Sequence, residues 1–196
     1  MHDSVRLFIV IGFLLLPSVA LAADLEAGLA AYMEGDYETS LAECQPLAEE
    51  GNAAAQFCVG RLYANGFGVE MNDDLALQWY GLAAEQGHGE ALFNLGLMHA
   101  NGWGVAMNDE EAARLFQLAA EQGFIKAQTS LAEVYKKGRG LEQSFVEAYT
   151  WFYIAAQLGN LNAEYDRDEV ASELSAEELA AAQQVADTWI SEHLSK

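Results

Sequence analysis

The sequence predicts an all-α fold, an α-solenoid of antiparallel helix pairs, on three observations. First, residues 88–123 fall onto residues 52–87 when the chain is shifted by 36 positions, and 124–159 follow as a more diverged copy. The matches lie where packing or backbone geometry needs them: Ala55 with Ala91, Phe57 with Phe93, Gly60 with Gly96, Asn65-Gly66 with Asn101-Gly102, and Gly68-Val69 with Gly104-Val105. A fixed period between about 20 and 50 residues marks a stacked array in which no unit buries its apolar face alone. Second, Ala91, Leu95, Met98 and His99 form the i, i+4, i+7, i+8 stripe of an amphipathic helix. Third, the punctuation has the same period. Gly102-Trp103-Gly104 stops the first helix of its unit, Asn72, Asn108 and Ser144 are N-cap types that open the second, and Gly51, Gly87, Gly123 and Gly159 end it. Each unit therefore reads as two antiparallel helices.

Taken in order, residues 1–22 are a different kind of sequence. Arg6 gives a weakly positive start, Leu7 to Leu16 is an apolar run, and Ala20-Leu21-Ala22 has the small-x-small form of a cleavage site. This predicts a secretory signal peptide. The run is short of the roughly 20 residues a membrane helix needs, so an uncleaved anchor is the lesser alternative. No cysteine stands at the cleavage position, and lipoprotein processing is not supported. The expected product is exported and bacterial, periplasmic or secreted, with no membrane insertion after cleavage.

Residues 23–196 read as a single repeat domain. Residues 23–51 form a shortened N-terminal cap unit: Tyr32-x-x-Gly35 parallels Tyr63-x-x-Gly66, but Gly35-Asp36 passes straight into the next helix without a loop. The repeats 52–87, 88–123 and 124–159 follow. Glu111 and Glu147, three residues after their N-caps, have the capping-box spacing. Residues 160–196 are the C-terminal cap, with a charged helix around Asp166-Arg167-Asp168-Glu169. A last helix opens at Ser175-Ala-Glu-Glu178 and carries the stripe Leu179, Ala182, Ala186, Trp189 and Ile190. Terminal repeats depart from the pattern because one side of each faces water.

The pattern Ala-x-x-x-Leu-Gly-x-x-(Tyr)-x-x-Gly-x-Gly-Val, followed by Asn-Asp-x-x-Ala-x-x-(Trp/Leu)-(Tyr/Phe)-x-x-Ala-Ala-x-x-Gly, resembles the Sel-one-like repeats, longer relatives of the tetratricopeptide repeat. Unit 124–159 keeps Ala127, Leu131, Tyr135, Gly138, Gly140, Trp151, Phe152 and Gly159, but has Ala132 for the helix glycine and Phe145 for the aspartate. The resemblance implies a right-handed α-solenoid that serves as a scaffold for a protein or peptide partner, here in the cell envelope. Some cysteine-rich secreted members of the wider family have been associated with β-lactam binding or hydrolysis. Those carry a cysteine pair in most units, and this chain has two cysteines altogether, so that reading is the alternative.

The net charge of −21 repels phosphate backbones and anionic lipid heads, which argues against nucleic-acid or membrane-surface binding. Catalytic groupings are absent: no His-Glu-x-x-His, no Gly-x-Ser-x-Gly, no Gly-x-x-x-x-Gly-Lys and no Ser-x-x-Lys. No catalytic residue, metal ligand set or cofactor is expected, and the chain reads as a monomer and not an enzyme. His99 occupies the Tyr63/Tyr135 position and reads as a core substitute; His88 and His193 lie at predicted helix ends and read as surface residues. Asp73-Asp74, Glu110-Glu111 and Glu177-Glu178 fall in first turns, where they complement the helix dipole. Trp79-Tyr80, Phe116 and Trp151-Phe152 recur at one place and read as core. Phe67 and Trp103, in the turns, are either local packing or contact points.

Cys44 and Cys58 each lie seven residues from Gly51 on helices entering and leaving that turn, at nearly equal height. A disulfide is geometrically reasonable in an oxidising compartment, and two buried free thiols are the alternative. For the binding face, the positions opposite the stripe Ala55, Val59, Leu62 and Tyr63 are Phe57, Arg61 and Ala64, with Asn65 at the edge. They recur as Phe93, Leu97, Ala100 and Asn101, then as Thr129, Glu133, Lys136 and Lys137. With Lys126 and Arg139 they predict a groove that takes an extended segment with an apolar anchor and a nearby acidic group, steered by the lysines. The competing reading packs Phe57 and Phe93 against the neighbouring unit and leaves the lysines solvated.

Overall fold

The structure, a computed structural model, describes residues 23–194; the expected signal peptide lies outside them. Ten α-helices and no strands make up the described chain: α1 Leu25–Glu34, α2 Tyr37–Glu49, α3 Ala53–Asn65, α4 Asp73–Glu85, α5 Gly89–Asn101, α6 Asp109–Glu121, α7 Ile125–Lys137, α8 Phe145–Gln157, α9 Leu161–Ala171 and α10 Ala176–Leu194. Each of α1 to α9 packs on its neighbours in sequence, while α10 packs on α8. This is the expected all-α solenoid of helix pairs. In the last cap, Gln183 donates to the Tyr153 hydroxyl at 3.2 Å and Trp189 meets Trp151 edge-on at 5.9 Å.

The helix boundaries follow from the recurring polar residues. Asn72, Asn108 and Ser144 accept the amides of Leu75, Glu111 and Glu147 at 3.0, 3.0 and 3.2 Å. The second half of the expected capping box does not form at Glu111 or Glu147. The N-cap amides are already committed, donating to the Tyr63, His99 and Tyr135 carbonyls at 3.0, 2.9 and 3.0 Å and so tying the two helices of each unit together. Glu111 instead takes Arg114, whose charge and hydrogen bonds hold its carboxyl below the usual range. The box does close at Ser175, where the Ser175 amide donates to Glu178 at 2.9 Å and the Glu178 amide to the Ser175 hydroxyl at 3.3 Å.

Alanines and one aromatic ring per unit fill the core. Tyr80, Phe116 and Phe152 are 3, 4 and 0 % exposed. Tyr80 and Phe116 rest on helix glycines: a β-carbon at Gly60 or Gly96 would lie 2.7 Å from the ring. The second glycine of each turn joins one unit to the one before it. A β-carbon at Gly104 would meet Asp73 backbone at 2.8 Å, and one at Gly140 would meet the Asp109 carbonyl oxygen at 2.1 Å. Both glycines have positive φ, 65° and 77°, so no other residue fits there without strain.

Cys44 and Cys58 are free thiols in this structure rather than the expected bridge, both buried between α2 and α3. The neighbouring Cys58 and burial raise the Cys44 thiol, Cys44 in turn lowers Cys58, and the Ser40 hydroxyl lies 3.4 Å from the Cys58 sulfur.

His88 is not the surface residue expected. It N-caps α5, its Nδ1 accepting the Ala91 amide at 3.3 Å, and its ring stacks on Phe57 at 4.8 Å. Burial lowers its pKa from the usual histidine value, opposed by the Glu90 charge. The unfolded chain therefore takes up the proton first as pH falls, so His88 contributes stability above about pH 6.5 that is lost as pH drops through the lower folded value. Thermal melts should show a fall between neutral and mildly acidic pH that is smaller in His88→Asn, since asparagine caps without titrating. An equal fall in both proteins would remove the assignment.

Candidate protein-binding groove

Two hollows, one repeat apart, lie between successive first helices. The hollow of about 310 Å3 between α5 and α7 has an apolar floor of Leu97, Ala100, Ala112, Phe116 and Val134, rimmed by Asp109, Thr129, Glu133, Lys137 and Arg139. The hollow of about 360 Å3 between α3 and α5 is lined by Ala64, Asn65, Met71, Asp73, Tyr80, Leu97, Met98 and Trp103. Six of these positions differ by 36 from a residue of the other hollow, among them Ala64 with Ala100, Tyr80 with Phe116, and Asp73 with Asp109. Leu97 belongs to both, from the middle of α5.

Of the residues expected to make the groove, Ala64, Asn65, Leu97, Ala100, Thr129, Glu133, Lys137 and Arg139 line these hollows. Phe57 and Phe93 do not stand free as anchors. Phe57 is 7 % exposed, packed by Tyr80 and His88. Phe93 is half-buried, its ring 5.8 Å from Phe116 and 5.2 Å from Phe124. A helix inside an array has the next unit on the face opposite its own partner, so that face is covered as well. Arg61 lies over the Tyr32 ring at 3.9 Å and the Phe57 ring at 5.5 Å, a cation–π position rather than a solvated one. Asn65 and Asn101 donate back to the Arg61 and Leu97 carbonyls, each at 2.7 Å.

The expected basic stretch is largely neutralised. Lys136 binds Glu169 at 2.6 Å and Glu133 at 3.8 Å, and the hydrogen bond to Glu169 raises its pKa. Lys137 pairs with Glu133, and Arg139 with Asp109 at 2.6 Å. Lys126 is exposed and has no ion pair among the described residues. Steering of an acidic segment thus loses most of its carriers. The turn aromatics divide: Phe67 stacks on Tyr37 at 4.4 Å, whereas Trp103 is 49 % exposed at the edge of the α3–α5 hollow.

Asp73, Asp109 and Phe116 were missed as lining residues. The signal that could have found the two aspartates is the turn glycine one unit later, which brings its loop onto the start of the preceding second helix; Phe116 lies mid-helix against Gly96. Among the described residues no cluster of histidine, cysteine and carboxylate side chains could hold a metal ion, and no helix is long and apolar enough to cross a membrane. His99 is half-buried, and its Nδ1 is buried without a hydrogen-bond partner.

The family model described as the Sel1 repeat matches residues 53–88, 89–124 and 125–160. A Sel1 repeat protein from Oxalobacter formigenes is 36 % identical with a TM-score of 0.70, over 74 % of this chain and 59 % of that one. A protective antigen present in uropathogenic Escherichia coli strains, with an SLR fold, is 27 % identical with a TM-score of 0.52, over 85 % of this chain and 46 % of that one. The chain thus spans about half the length of the solved structures it resembles. No curated protein matches it. Three repeat matches covering more than half of the chain, on a solenoid whose caps, turns and inter-unit glycines recur every 36 residues, place the protein in the Sel1 repeat family.

Proposed function

We propose that this chain is an exported scaffold of the cell envelope that holds a segment of a protein partner along the hollows between α3, α5 and α7. Proteins built from Sel1 repeats are protein-interaction scaffolds, and the observation that carries the reading here is the pair of equivalent apolar hollows meeting at Leu97. Two like pockets at one-repeat spacing suit successive side chains of one extended segment better than a compact ligand. Leu97→Trp fills both pockets at once with an uncharged bulk. It is expected to weaken a partner captured from envelope extract at least tenfold, about 1.4 kcal/mol, while circular dichroism shows the helices retained. Undiminished capture by the variant would remove the groove as the binding surface.

The leader predicted at residues 1–22 carries the export reading, and N-terminal sequencing of the protein from its native host should begin at Ala23. Retention of Met1 would contradict it. The same compartment would oxidise Cys44 and Cys58, closing a loop of about 14 residues between cap and first repeat, worth on the order of 3 kcal/mol in the chain-entropy model. Thiol counting under denaturing conditions should find no free thiol in exported protein and two after reduction. Two free thiols in exported protein would show that the pair stays reduced.

A further inference from the structure

The residue between the two turn glycines of a unit faces the first residue of the preceding unit's second helix, because the second glycine packs there: Gly68 on Tyr37, Gly104 on Asp73 and Gly140 on Asp109. Two of these three junctions are chemically matched. Phe67 stacks on Tyr37 with an interplanar angle of 16°. Arg139 forks onto Asp109, its Nη2 and Nε donating to the two carboxylate oxygens at 2.6 and 3.3 Å. At the middle junction the residue in the place of Arg139 is Trp103, which lines the same hollow as Asp73. Indole supplies no positive charge, Asp73 has no ion pair among the described residues, and Trp103 is left half in solvent. Both line the α3–α5 hollow beside Tyr80, Met71 and Met98.

We propose that the α3–α5 hollow takes an arginine side chain of the partner, its guanidinium set between the Trp103 indole and the Asp73 carboxylate. The molecule contains its own precedent for a guanidinium on this carboxylate: Arg139, which stands at the Trp103 position one unit later, forks onto Asp109, the residue equivalent to Asp73. A guanidinium fits both neighbours: its planar fork pairs with a carboxylate, and its face stacks on indole, the strongest aromatic partner for a cation. The aliphatic stem would lie along Met71 and Met98. A net charge of −21 favours a basic segment, and the cations near the groove are mostly held by carboxylates of the chain itself. This inference rests on the groove reading and names the chemistry of what the groove recognises.

The test follows the Trp103 indole N–H by NMR, assigned with Trp103→Phe, while N-acetyl-arginine amide or its neutral citrulline analogue is added. The arginine probe is expected to give a saturable shift that weakens as salt is raised and is lost in Asp73→Asn; the citrulline probe gives none. No shift, an equal shift with citrulline, or an unchanged shift in Asp73→Asn overturns the proposal. With a captured partner, Asp73→Asn and Trp103→Ala should each weaken binding about tenfold at unchanged melting temperature. Binding that survives both but not Leu97→Trp would refute the arginine pocket and leave the groove in place. Binding that survives all three would remove the groove reading as well.

Discussion

Replacing Gly140 with valine is expected to lower stability by about 3 kcal/mol or more, a fall of roughly 6 to 12 °C in Tm for a domain of this size. Two effects add at this residue. Its φ of 77° lies in the left-handed region that a β-branched residue resists. A β-carbon there would also sit 2.1 Å from the Asp109 carbonyl oxygen and 2.7 Å from the Glu110 amide nitrogen, both backbone atoms that move only if the turn lifts off α6. Gly104→Val should follow closely, with Asp73 backbone at 2.8 Å. Gly102→Val should cost less, because its φ of 73° is strained but its nearest neighbour is at an ordinary 3.5 Å. Ala100→Ser, on the half-buried side of α5, should stay within about 0.5 kcal/mol. Equal melting temperatures across the four would show that the turn glycines do not join the units.

Phe152→Ala is expected to cost about 3 to 5 kcal/mol. Phe152 is the largest fully buried side chain, packed with Ala132, Ala148, Ala155, Ala163, Val170 and Ala182 from α7 to α10. The fully buried members are mostly alanines, which have no length with which to refill the space, so any repacking must come from larger side chains at the edge of the cluster such as Tyr149, Leu174 and Leu179. The loss should appear first in the C-terminal cap, since α9 and α10 both pack on α8. Hydrogen exchange that speeds up in α9 and α10 before α3 and α4 would show it. A change below 1 kcal/mol would mean that α8 is not the pillar of that end.

Much of this architecture is legible in the sequence because repetition multiplies weak signals. A single asparagine before an acidic residue is an ambiguous N-cap, but Asn72, Asn108 and Ser144 at one period identify the cap, and all three make the bond. The aromatic core positions follow in the same way. The groove is less legible. A helical wheel assigns each helix one buried face, which left Phe57 and Phe93 on the other, whereas an array covers α3 and α5 on both. Lys137 with Glu133 is a local pair on α7, but two of the pairs that decide its charge are remote in sequence: Lys136 with Glu169 spans 33 residues and Arg139 with Asp109 spans 30. No local pattern announces those two. The turn periodicity did contain the Asp109 and Asp73 junctions, but only the close approach of Gly104 and Gly140 makes them visible.

The central claim is that the partner lies in the hollows between successive first helices, and site-directed photo-crosslinking tests it most directly. A photoreactive side chain would replace Leu97, which lines both hollows, or Gln117, exposed on the second helix α6 and in neither. Irradiation of envelope preparations should join the same partner to the protein through position 97 and not through 117. Crosslinks through 117 with none through 97 would place the partner on the second-helix face and contradict the account.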